Sequence, residues 1–129
     1  DLKIPSMGNG YLMAEWHFYA AGPSKSNDKK RWTTGTAEEK QKIKKSIKVA
    51  VDWQKKTGIY TWVGAWMPGS YNKDDNYSVK EQTEFASFMT QQLDKHGVPF
   101  AINADHHFYD YKAEQWIPKY KDLLNTIFM

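Results

Sequence analysis

The chain of 129 residues has no cysteine. That excludes disulfide staples, thiolate metal sites and a cysteine nucleophile. No apolar run approaches the roughly 18 to 20 residues that a membrane-crossing helix needs, and no signal-peptide pattern is visible. Glycine and proline are scarce and scattered, with eight and five residues. They build neither a phosphate-cradling Gly-x-x-x-x-Gly-Lys loop nor a Gly-x-Ser-x-Gly nucleophile elbow. Charge of one sign is also missing. Eighteen Lys and Arg stand against fifteen Asp and Glu, for a net charge of +3. Much of the positive charge lies in Lys40 to Lys56, interspersed with acids, which reads as a solvated helix face and not as a nucleic-acid patch. No nucleic-acid or membrane partner and no cofactor is expected.

The chain holds 40% hydrophobic residues, enough for the core of one domain. Aromatics reach 16%, including six tryptophans. That surplus serves either packing or flat ligand faces. The first residue is Asp1 rather than Met, so the chain reads as a processed product or a piece of a longer polypeptide.

Three stretches share one plan. Leu12 to Tyr19, Ile59 to Trp66 and Val98 to Asp105 are apolar runs that end in polar and aromatic groups. Strands are expected at about 11–17, 59–65 and 98–103. Near-continuous apolar character suits a parallel sheet. Two helices carry explicit start signals. Thr36 with Glu39, and Ser78 with Glu81, form Thr/Ser-x-x-Glu capping boxes. Ile43, Ile47, Ala50 and Val51 recur at helical spacing in the first, and Phe85, Phe88, Met89 and Leu93 in the second. Gly58 and Gly97 close them. A last helix is expected with Pro118 in its first turn and Trp116, Ile117, Tyr120, Leu123, Leu124 and Ile127 on its apolar face. The loops 20–35 and 66–77 are irregular. The acids Asp74 and Asp75 lack calcium-loop spacing and read as a solvated turn.

The expected fold class is therefore α/β, with βα units at about 11–57, 59–96 and 98–128 forming one partial barrel domain over 1–129. Right-handed crossovers make the strands parallel. Three such strands leave two open edges and an uncovered face. The sheet is expected to be completed by self-association or by a missing N-terminal half. Ligands of parallel α/β sheets bind at the C-terminal ends of the strands. There the pattern gathers His17, Tyr19, Trp66, Asn103, Asp105, His106 and His107. Alternation puts Glu15 on the face of His17, as a buried carboxylate if that face is a barrel interior. Asp105, His106 and His107 with His17 could suggest a metal centre. Adjacent histidines on an extended segment diverge, however, and no metal is expected.

His17-Phe18-Tyr19 at a strand end, the Gly58 to Gly64 segment, and Phe108-Tyr109-Asp110 with Trp116 after the last strand resemble the C-terminal part of glycoside hydrolase family 5, the cellulase-type (β/α)₈ barrels. The resemblance covers nearly the whole chain. It implies an endo-β-1,4-glucanase-like, secreted protein acting on β-glucan or a related plant polysaccharide. It also implies that His17 and Tyr19 stand beside the catalytic nucleophile. The family's Gly-Glu nucleophile pair falls on Gly64-Ala65, and alanine cannot act as one. The family's acid/base would lie before Asp1. Glu15, His17 and Tyr19 are therefore the catalytic candidates, and Trp66, Asn103, Asp105 and His107 the substrate-binding ones. The competing expectations are a non-catalytic carbohydrate-binding protein or an inert fragment.

Overall fold

The computed structural model describes residues 3–4, 10–20, 30–69 and 77–128. Loop 70–76, with Asp74 and Asp75, lies outside the described residues, as does most of loop 20–35. Three strands make the main sheet: β1 (Met13–Tyr19), β2 (Tyr60–Met67) and β3 (Phe100–Ile102). They lie in the order β1-β2-β3, and both pairings are parallel. Each strand neighbours the next in sequence, which is the winding of a barrel and not of an open sheet whose order reverses.

Helix α1 (Ala37–Thr57) joins β1 to β2, and α2 (Val79–Lys95) joins β2 to β3. Both start where the capping boxes predict. The Thr36 hydroxyl accepts from the Glu39 N–H at 3.2 Å, and the Glu39 carboxylate accepts from the Thr36 N–H at 2.9 Å. Ser78 and Glu81 repeat the arrangement at 3.2 and 2.7 Å. Helix α1 ends at Gly58, whose φ of 72° is left-handed and donates its N–H to Gln54. The Gln54 side chain accepts in turn from the Thr61 N–H at 2.9 Å, tying the end of α1 to the start of β2.

The core lies between the sheet and the helices. Phe85 of α2 is fully buried there, its ring 6.3 Å from Phe18, 5.5 Å from Trp32 and 6.0 Å from Trp66. Ile43, Ile47 and Val51 of α1, with Met89 and Leu93 of α2, complete the layer. A side chain of this size contributes about 1.5–3 kcal/mol when fully buried, so this layer dominates folding.

Three expectations change. Both long strands end two residues later than anticipated, so Tyr19 and Trp66 lie within strands and not beyond them. Segment 104–114, expected as loop, folds into the short helix α3 (Asp105–Phe108) and then the hairpin strand β4 (Tyr109–Asp110). The partner strand β5 (Gln115–Trp116) removes Trp116 from the last helix and leaves it 42% exposed. Pro118 opens a 3₁₀ turn, because its ring fixes φ and supplies no N–H. Helix α4 (Lys121–Phe128) follows, burying Leu123, Leu124 and Ile127 as the periodicity requires.

Candidate functional site

Along β1, Phe18 faces the helices, whereas Met13, Glu15 and His17 alternate onto the opposite face, the interior side of a barrel. Among the described residues, none packs across that face. Met13 is 51% and Tyr60 67% exposed. Glu15 and His17 meet there, with His17 Nε2 2.6 Å from Glu15 Oε1. The Tyr19 ring meets the His17 ring edge-on, with centroids 6.4 Å apart. The structure thus brings all three catalytic candidates together. One expectation is corrected: Glu15 is not buried, its side chain being 48% exposed and that of His17 50%. With no described residue across the interior, water reaches both.

A carboxylate oxygen accepts hydrogen bonds, so His17 donates its Nε2–H to Glu15. Glu15 also leans across β2. The register pairs Trp16 with Val63 and His17 with Ala65, which makes Gly64 the extra residue of a β-bulge. A Cβ placed on Gly64 would overlap Cγ, Cδ and Oε1 of Glu15. Sequence reading passed over this role. The available signal was an isolated glycine inside a strand pattern, which marks a bulge or a close approach.

Trp66 requires a correction. It is fully buried inside β2, packed on Phe85 and on Phe100 at 5.7 Å. The bulge that absorbs Gly64 turns its ring toward the helices, so it offers no face to a sugar. Asn103 directly follows β3 and donates its N–H to the Trp66 carbonyl at 2.8 Å. It therefore lies at the same end of the sheet as His17 and Tyr19, but two strands away, roughly 10 Å at the usual strand spacing. Asp105 opens α3, and its side chain lies outside the described ones. His106 and His107 do not diverge. The helical turn stacks their rings at 4.9 Å, with His107 half-buried and next to the buried Phe108. Among the described residues, no group of three or more His, Asp or Glu could hold a metal ion, and no helix is long and apolar enough to cross a membrane.

No family model matches the chain, and neither does any curated relative. Solved structures do. The cellulose synthase subunit Z of Clostridioides difficile superposes with a TM-score of 0.75 and 18% identity, over 99% of this chain and 44% of its own. Cel5A of Thermotoga maritima, solved in complex with cellobiose, gives 0.73 and 18%, over 98% and 42%. The family 5 lichenase of Caldicellulosiruptor sp. F32 gives 0.70 and 18%, over 97% and 36%. The fold is three units of a (β/α)₈ barrel. The chain spans less than half the length of each of these structures, and at such identity the likeness concerns the fold.

Proposed function

We propose that the chain is the C-terminal part of a family-5-type glycoside hydrolase that binds and cleaves β-linked plant polysaccharide of the β-1,4-glucan type, outside the cell. The observation that carries this reading is the Glu15–His17 pair, seated on the interior face of a sheet shared with cellulase-type barrels. Glu15 supplies a carboxylate to the reacting sugar. His17 binds one of its oxygens and orients the other, and Tyr19 holds the His17 ring. Asn103, Asp105 and His107 provide hydroxyl-binding groups around the rim. Glycosidases need a second carboxyl group, about 5–5.5 Å away in retaining enzymes and about 6.5–9.5 Å in inverting ones. It comes either from Asp105 or from the element that completes the barrel. That element is a second copy or an N-terminal half, and strand counting favours the half, since two copies give six strands and not eight. Reducing-sugar release from carboxymethylcellulose, xylan or mannan tests the activity, with the assayed fraction sized by light scattering. Cleavage is expected in a completed assembly and loss of it in Glu15→Gln. A strict monomer that unfolds cooperatively would overturn the need for completion.

Ala65 favours a second reading, a carbohydrate-binding protein without catalysis. Oligosaccharide binding that quenches tryptophan fluorescence, with no cleavage, would select it.

A further inference from the structure

We propose that Gly64 is a positioning residue, whose bare Cα at the β-bulge is the seat that holds the Glu15 carboxylate against His17. The space above Gly64 is occupied by three atoms of Glu15, so any other side chain would fill the seat. Conformation does not explain this glycine, because its φ is not positive, unlike those of Gly35, Gly58 and Gly97. Here the missing Cβ is the feature in use. Such a seat is needed. Glu15 and His17 are each about half exposed, and an exposed ion pair gains little beyond the entropy lost in holding two flexible side chains together. The bulge sits between the pairings of Trp16 and His17. It therefore adds the extra residue at the level where the glutamate, coming from β1, must cross to β2 and turn back toward the imidazole. Sequence and backbone together convert two solvent-facing side chains into one oriented carboxylate–imidazole unit.

The inference deepens the glycosidase reading and rests on it only for its kinetic arm. In the chain labelled with ¹⁵N-histidine, the His17 Nε2–H held by a carboxylate gives a downfield ring N–H resonance in the cold, identified by its disappearance in His17→Gln. The resonance is expected to vanish in Glu15→Ala and equally in Gly64→Ala, although the latter removes no polar atom. The atoms displaced by the new methyl are the flexible end of Glu15, so the near-ultraviolet circular dichroism of the tryptophan core should be unchanged in Gly64→Ala. Glu15→Asp leaves β2 untouched but is one methylene too short to reach the seat, and should lose the resonance as well. Persistence of the signal in Gly64→Ala or Glu15→Asp, or its absence from the unaltered chain, overturns the proposal. In the kinetic arm, Gly64→Ala should lower kcat on a β-1,4-glucan oligosaccharide by about 10²-fold, the lower range for a general acid–base group, with KM little changed. If the completed assembly with the unaltered chain cleaves nothing, the glycosidase reading fails while the resonance still decides the seat.

Discussion

The two faces of one sheet differ sharply. Toward the helices, Val63, Trp66, Phe85, Met89 and Leu93 are all fully buried. Toward the other side, Met13, Glu15 and His17 are about half exposed and Tyr60 more. Helix α2 supplies Phe85, Met89 and Leu93, and the strands contribute side chains to both faces, neighbouring residues pointing to opposite sides. The contrast teaches that packing and candidate chemistry are divided between faces. The helix-facing layer is filled within this chain, around Phe85. The interior layer is not finished, and it carries the polar groups that could act on a ligand.

The largest effect should come from breaking the finished face. Phe85→Ala removes a ring packed against Phe18, Trp32 and Trp66 and should cost about 3–5 kcal/mol, read as a lower urea midpoint or as failure to fold. Next is Ser78→Ala, which strips the cap from α2 and should cost about 1 kcal/mol. The same caps make a pH test. The Ser78 backbone N–H bonded to Glu81 holds its carboxyl below the ordinary 4.5. Glu39 is also held below that value, since bonds from Thr33 and Thr36 outweigh the opposing effect of its burial. A carboxyl depressed in the folded state contributes stability that is complete above the unfolded value and is lost as pH falls through the folded one. The penalty for Glu81→Ala should thus be full near neutrality and shrink as pH falls below about 4.5, whereas that for Ser78→Ala, which keeps the backbone N–H, should depend less on pH. The smallest effect should come from the unfinished face. Tyr60→Thr, at a residue 67% exposed, should change the stability of the isolated chain by no more than about 0.5 kcal/mol. If a completing element covers that face, the same substitution should weaken assembly instead, as seen by light scattering.

Much of the finished face was legible in the sequence, because its signals are local. A capping box needs four residues, and the Ile43–Ile47–Val51 stripe needs only a constant helical period. The winding followed from repeating strand and helix three times. The site was legible in part. His17 and Tyr19 could be placed by their position at a strand end, and alternation put Glu15 beside them. Three features were not fixed by local pattern. The isolated Gly64 signalled a bulge, but its place depends on a register between residues 47 to 48 apart, and that bulge turns Trp66 inward. The exposure of Glu15 depends on what stands opposite, which no pattern within β1 encodes. The hairpin that carries Trp116 is made of two-residue strands, too short to show any period, and it is held by the turn around Asp110, whose carboxylate accepts from the Lys112 and Ala113 N–H groups, and by the Tyr109 ring against Trp116.

The strand order carries a practical consequence. Among the described residues β1 pairs with β2 alone, so no described strand pairs with its other edge along Met13 to Phe18, a segment reading Met-Ala-Glu-Trp-His-Phe. Natural edges are blunted by lysine, proline or a bulge. This one has no lysine or proline, its single acid is turned toward Gly64, and the bulge is on the neighbouring strand. An uncapped β1 is therefore a template for edge-to-edge aggregation, and the soluble fraction of the chain should fall as its concentration rises unless a neighbour strand covers that edge.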